Sequence, residues 1–455
     1  EGIYKDLILV LFWTNMLRRR YVLCKVLPTV FLLCVGLLCT KNLIAGLRKN
    51  NLELVQTEFS PENPQINQET LGKTQNYVVT VKKFDDHTIV NNNIKLENKA
   101  ETKKLTDAQV NSSLLPKKPC ENQKCNFVFI KPMKCATETV VRILRKYSYE
   151  NDLNIMLPRQ KRLYLAWPYL MDDSDYRLSD RPFNGLIDHA IYNKTIMNRY
   201  FPPQTTHYVT IIREPLKQFK SAFNYFKIAQ ISGIFTLNPL TEFLENIENY
   251  ESIYKSPEAA TYRYCIPNGF SVTKNLLAHC LGMPIGFPKD RENISNNLHA
   301  VQDYIENLDK DFSLVMLVEY FHESLVLFKR LMNWQLKDMI YKSVNRGTYF
   351  YAMNSHYKAK HRQWSAIDYM LYDHFNQTLT FWKKVDEQGV DFYDEVDQFK
   401  LVQLIVNQFC FVEGNTQTKG KFLTIPQSRF NKEFNITSEE FHNMTETKGP
   451  HNMLD

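Results

Sequence analysis

An α/β domain with a central, mainly parallel sheet is the fold class that the sequence predicts. Three observations carry that expectation. From Cys125 onward, short apolar runs of strand length alternate with segments of helical periodicity. Polar and charged residues collect just after each apolar run, where ligands of open α/β sheets gather. The apolar fraction, 44% of 455 residues, is ample for a sizeable core.

The elements follow in order. Asn126-Phe-Val-Phe-Ile130 is a run fit for a buried strand, and Thr137 to Tyr149 has helical spacing with Val140, Val141, Ile143 and Leu144 on one face. Residues 185–191 form a second strand candidate and Tyr208 to Ile212 a third, followed at Pro215 by a helical stretch through Phe226. A fourth strand is expected over Phe312 to Val318, with a helix from Glu323 to Trp334 behind it. Residues 364–385 also read as helical. This body is expected to span 121–412, with a polar, loosely attached tail over 413–455.

The N-terminal third has a different texture. Arg18, Arg19 and Arg20 precede an apolar stretch over 21–47, an arrangement that favours a signal anchor with a cytosolic N-terminus and a luminal body. A cleaved signal peptide is the rival reading. Residues 1–20 then read as cytosolic or non-native. Residues 48–120 are rich in Asn, Gln, Lys, Glu and Thr, and read as a stem that cannot bury enough apolar surface to fold alone. Six N-x-S/T sequons, at Asn111, Asn193, Asn293, Asn376, Asn435 and Asn443, agree with a secretory route.

Other features narrow the function. A net charge of +7 permits an anionic ligand but not the dense basic stripe of a nucleic-acid binder. None of the nine cysteines has CxxC spacing, so no structural metal is expected. In a luminal body one or two disulfides are plausible, and Cys265 with Cys280, which closes a short loop, is the expected pair.

Three segments carry chemistry. Lys131-Pro-Met-Lys134-Cys135-Ala136-Thr137-Glu138-Thr139 lies between a strand and a helix, where backbone N–H groups converge on an anion. It lacks the GxxxxGK[ST] pattern, and taken alone it is equally an ordinary turn with a solvated lysine. Arg213 ends the third strand, and Ser221 follows two helical turns on; an arginine fork and a hydroxyl suit a phosphate, though a surface Arg–Glu pair explains them as well. His189 stands at the end of the second strand candidate as a possible general base or a structural histidine. The shared placement at strand C-termini raises the joint reading above the separate ones.

With these residues in view, 125–390 resembles the galactose 3-O-sulfotransferase family. That family's F-L-K-T-x-K-T-A-S-S-T is similar to Phe129 through Thr139, and its R-[DE]-P with a later serine is similar to Arg213-Glu214-Pro215 and Ser221. Its L-V-L-I-A-E-Y-F-D-E-S-L-V-L-L resembles Leu314 through Leu327, and a later segment resembles Leu371-Tyr372 with Phe381-Trp382. The resemblance implies a sulfotransferase-type, P-loop-like fold in the Golgi membrane that takes 3′-phosphoadenosine 5′-phosphosulfate as donor, with no metal. It implies a galactose-terminated glycolipid or glycoprotein as acceptor; the rival readings are a sulfotransferase for another glycan or glycosaminoglycan position and a catalytically silent, glycan-binding relative. Lys131, Lys134, Cys135, Ala136, Thr137, Glu138 and Thr139 would surround the 5′-phosphosulfate, and Arg213 and Ser221 the 3′-phosphate. His189 would take the acceptor proton, and Lys134 would stabilise the leaving group. Two departures stand out: Pro132 and Met133 replace a threonine and a polar residue, and Glu138 puts a carboxylate where a hydroxyl is common. Glu138 is expected to be neutralised by Arg142, one helical turn on.

Overall fold

In the computed structural model the described residues are 81–82, 126–159, 164–263, 265–342, 351–377, 379–414, 422–437 and 440. All belong to the unit Tyr77–Asp455. The anchor expected over 21–47 lies outside the described residues, as do Asn111 and Asn443 and nearly all of the stem. Among the described residues no helix is long and apolar enough to cross a membrane.

The strands are β1 (Val81–Lys82), β2 (Asn126–Ile130), β3 (Ile155–Met156), β4 (Gly185–Leu186), β5 (Thr206–Ile212), β6 (Leu314–Leu317), β7 (Phe422–Ile425) and β8 (Phe434–Thr437). The two helices that follow site-bearing strands are α1 (Thr137–Glu150), after β2, and α2 (Pro215–Tyr225), after β5. Further helices include Leu276–Cys280, Phe321–Met332, Ser355–Trp364, Ala366–Gln377 and Asp391–Gly414.

The main sheet has the order β3-β4-β2-β5-β6, and all four of its pairings are parallel. A parallel sheet is covered on both faces, so its strands read as continuous apolar runs. Phe127, Val128, Phe129 and Ile130 of β2 are fully buried, as this requires. After β2 the chain moves outward to β3, returns at β4, then steps across β2 to β5. The segments leaving β2 and β5 therefore diverge, and a crevice opens between them at the C-terminal end of the sheet. The two helices accordingly feed different cores. Val140, Val141, Ile143 and Leu144 of α1 join the sheet's main cluster. Leu216, Phe219, Ala222 and Phe223 of α2 join a second one with Met133, Trp167 and Phe270.

Three expectations change. The strand expected over 185–191 stops at Leu186. Beyond it, side chains replace the ladder: Asp188 pairs with Arg145 of α1, and the His189 carbonyl accepts the Leu165 N–H. The tail expected to be loosely attached contains the β7–β8 hairpin, which pairs with β1 and buries Leu423, Ile425 and Ile436 in the main core. Alternation over these short strands hides three core residues inside a polar segment. The Cys265–Cys280 disulfide is absent, and both thiols are free. Cys280 is buried on its short helix, with its thiol pushed up to about 12 by burial, whereas Cys265 is exposed.

Of the sequon asparagines, Asn293 and Asn435 are exposed. Asn193 is half-buried and caps a helix by accepting the Ile196 N–H, and Asn376 has a buried amide oxygen.

Gly282 ties the segment after His189 to the rest of the fold. Its φ is +85°, and a Cβ there would lie 2.1 Å from the carbonyl oxygen of Tyr192. Backbone, unlike a side-chain tip, cannot swing aside. Gly282→Ala is expected to cost at least about 2 kcal/mol, from left-handed strain plus the clash. Thermal unfolding checks this, and an unchanged Tm would contradict it.

Candidate active site

The β2–α1 loop is the base of the site. It contains no glycine, yet Lys134 and Ala136 both have left-handed backbone, with φ of +65° and +55°. Alternating left- and right-handed residues turn successive N–H groups toward one side, which makes an anion-binding concavity. Ala136 occupies the N-cap of α1 and gives it no side-chain cap. The first N–H groups of a 14-residue helix are thus not taken by an N-cap side chain, as anion binding at a helix start requires.

The loop's carbonyls are held from behind. The Thr137 hydroxyl donates to Pro132 O at 3.3 Å, and Gln218 of α2 donates to Met133 O at 3.1 Å. The Cys135 thiol also points at Met133 O, at 3.4 Å. Pro132 and Met133 therefore act through their backbones, and the Met133 side chain packs into the second core.

Two carbonyls of this loop organise the other site residues. The His189 Nδ1 lies 3.0 Å from Lys131 O. A carbonyl only accepts, so Nδ1 carries the proton and Nε2 keeps a free lone pair. Burial, and then the charge of Lys131, push the His189 imidazolium well below the usual histidine range. The ring is therefore a neutral base at pH 7. Arg213 donates from NH1 to Lys134 O at 3.3 Å, while its Nε is buried with no protein partner. That orphaned donor is a mark of a missing anionic or polar ligand. Ser221, half-buried on α2, lies two turns into the helix that Arg213 leads into.

Charge is distributed unevenly around the loop. Burial and then the nearby Arg213 push the Lys134 ammonium down. Two cations face one place, and an anion between them would stabilise both charges. Glu138 does not spoil this. Burial pushes its carboxyl up, but Lys131 chiefly, with Arg145 and Arg142, more than offsets that and holds it below the ordinary range. The expected Arg142 pairing exists at 3.7 Å, but the main partner is Lys131 at 3.0 Å. Lys131 is committed to Glu138, and its contribution to the site is its carbonyl on His189.

The structure thus brings together Lys131, Lys134, Cys135, Ala136, Thr137, Glu138, Thr139, His189 and Arg213, with Ser221 on the adjoining helix. Cys135 is fully buried, with its thiol pushed well up by burial, and Thr139 is also buried, so both support the loop.

Sequence reasoning missed several supports. Asp188 forms an ion pair with Arg145, 3.0 Å and buried, that pins the His189 segment to α1. Tyr164 meets the His189 ring edge-on at 5.0 Å, and Trp167 lies 6.3 Å away, so aromatics wall the base. Glu319 accepts the Glu214 N–H and the Tyr372 hydroxyl, fixing the turn after Arg213. None of these pairs is close enough in sequence to leave a local signal.

A separate cavity of about 570 Å³, lined by Tyr192, Lys194, Arg291, Tyr304 and Asp311 among others, reaches none of Lys134, His189 and Arg213. Its Lys194 is paired with Asp311, and Arg291 and Glu292 also line it, so cations and carboxylates are matched in number there.

The profile of the family described as galactose-3-O-sulfotransferase matches residues 16–426. Human galactose-3-O-sulfotransferase 3 is 32% identical over 267 residues, covering 57% of this chain and 57% of that protein. Human galactosylceramide sulfotransferase is 29% identical, covering 58% of each. Mouse galactose-3-O-sulfotransferase 2 is 27% identical over 313 residues, covering 65% of this chain and 72% of that protein. The chain therefore spans little more than half the length of the first two.

Removing Arg145 leaves Asp188 buried without its cation. Arg145→Met is expected to destabilise the fold by about 3–5 kcal/mol. Urea unfolding checks this; a change under 1 kcal/mol would mean that the pair does not anchor the His189 segment.

Proposed function

The chain belongs to the galactose-3-O-sulfotransferase family, and from that premise we propose that it moves a sulfuryl group from 3′-phosphoadenosine 5′-phosphosulfate to the 3-hydroxyl of a terminal galactose. The observation that carries this reading is the meeting of Lys134, Arg213 and neutral His189 on one loop at the sheet's reversal point. The acceptor class is a glycolipid or glycoprotein; the names of the relatives point to galactose and, in one case, to the glycolipid galactosylceramide. The protein would work in the Golgi membrane, held by a segment within 21–47 on a stem over 48–120, with the domain in the lumen.

The residues fit such a donor. The N–H groups at the start of α1 and the Lys134 ammonium suit the 5′-phosphosulfate. The orphaned Arg213 Nε, with Ser221, suits the 3′-phosphate. The donor supplies an activated sulfuryl group whose bond to a phosphate oxygen breaks as the sugar oxygen attacks. His189 Nε2 takes the proton from that hydroxyl, with Lys131 O fixing the tautomer. Lys134 stabilises the charge that grows on the departing phosphate oxygen. The fixed loop contributes chiefly by alignment. Because Glu138 is neutralised by Lys131 and Arg142, its carboxylate does not argue for a silent, glycan-binding relative.

Calorimetry with 3′-phosphoadenosine 5′-phosphate tests the donor site. Binding is expected in the micromolar range (on the order of −8 kcal/mol), lost in Lys134→Ala and weakened in Arg213→Ala. His189→Ala is expected to bind the bisphosphate nearly as the parent does, yet lose transfer by about 100-fold or more. Absence of binding by a folded chain would sink the reading.

The pH profile has a definite sign. A histidine whose folded pKa is lowered stays neutral to lower pH than a free one. The acid limb of kcat/KM is therefore expected below pH 6.5, the ordinary histidine value. A limb centred above that value would mean that another group is the base.

A further inference from the structure

Lys134 has a second partner that the donor site does not explain. Its Nζ sits 3.8 Å from the centroid of the Tyr225 ring. Tyr225 ends α2 and is 58% exposed, so its ring is not needed to fill a core. It lies one helical turn beyond Ser221, on the same face. A cation over an aromatic face is held by the ring's quadrupole. Here that attraction acts on an ammonium already destabilised by burial and by Arg213.

We propose that Tyr225 is the resting station of the Lys134 ammonium, a positioning residue that holds the lysine when no anion is present and releases it when the phosphosulfate enters. The proposal rests on the donor reading above. In this proposal the ring and the anion compete for one ammonium: Lys134 lies over Tyr225 in the free protein and leaves it for a group at the start of α1. The backbone supports this division. Lys134 O is fixed by Arg213, so only the flexible four-carbon side chain moves. The consequence is protection: until a donor displaces it, the lysine stays sequestered from the leaving-group position. The stacking also opposes donor binding slightly.

The test is nuclear magnetic resonance on the full chain after reductive ¹³C-methylation of its lysines, with the Lys134 signal assigned by its loss in Lys134→Arg. Methyl groups over an aromatic face are shifted upfield by the ring current. An upfield Lys134 signal is expected in the parent, kept in Tyr225→Phe, lost in Tyr225→Leu, and moved back on saturation with 3′-phosphoadenosine 5′-phosphate. In unmethylated protein, Tyr225→Leu is expected to bind the bisphosphate about two- to five-fold more tightly, and Tyr225→Phe within two-fold of the parent, as an exposed cation–π contact allows. No upfield signal in the parent, or one that survives in Tyr225→Leu, overturns the resting station. A signal unmoved by bisphosphate that calorimetry shows to be bound overturns the exchange. If calorimetry shows no binding while the ring shift is intact, the donor reading itself fails and takes the exchange with it.

Discussion

Everything at the site depends on how the backbone of residues 131–136 is held. Its carbonyls are drawn back by His189, Gln218, Thr137 and Arg213. Its N–H groups are thereby left to face the crevice. Holding Lys134 and Ala136 in left-handed backbone without glycine costs on the order of 1–3 kcal/mol each. The surrounding packing must supply that. The fully buried β2 before the loop and the apolar face of α1 behind it fix both ends.

The same backbone couples chemistry to binding. Lys131 O sets the His189 tautomer, and Lys134 O holds Arg213, so the proposed base and the proposed anion clamp share one rigid reference. A displacement of the loop would misplace both together. The charges follow the same economy. Lys131 and Arg142 neutralise Glu138, and Arg145 neutralises Asp188. Lys134 and Arg213 remain as the cations of the site not paired to a carboxylate within it. Burial, and then the charge of Arg213, push the Lys134 ammonium down, so an anion placed between the two cations would stabilise both.

The sheet explains why these groups meet at all. β2 and β5 are neighbours whose following segments run to opposite sides, and the gap between them is where Lys134 and Arg213 stand. His189 arrives from β4, the other neighbour of β2. A parallel sheet delivers every strand's C-terminal end to one edge, so residues distant in sequence need only share that position.

The sequence by itself determined the parts whose signals are local. The apolar runs at 126–130, 208–212 and 312–318 and the helical spacing after each are short-range patterns, and they located β2, β5, β6, α1 and α2 within a few residues. The first two of these runs located Lys134 and Arg213 just beyond strand ends, whereas His189 lies past the end of β4, which stops at Leu186. Only the tertiary structure decided what depends on distant partners. Glu138 turned to Lys131, seven residues back, because the loop folds over, a path that helical spacing does not describe. Asp188 gained Arg145 because β4 lies beside β2 and its following helix. The left-handed backbone at Lys134 and Ala136 left no trace, since no glycine marks it. The hairpin over 422–437 was hidden because its few apolar residues gain meaning only against a core assembled from other elements of the chain. Local periodicity records which face of an element is apolar; it does not record which charge or carbonyl will stand opposite, and this site is made of such oppositions.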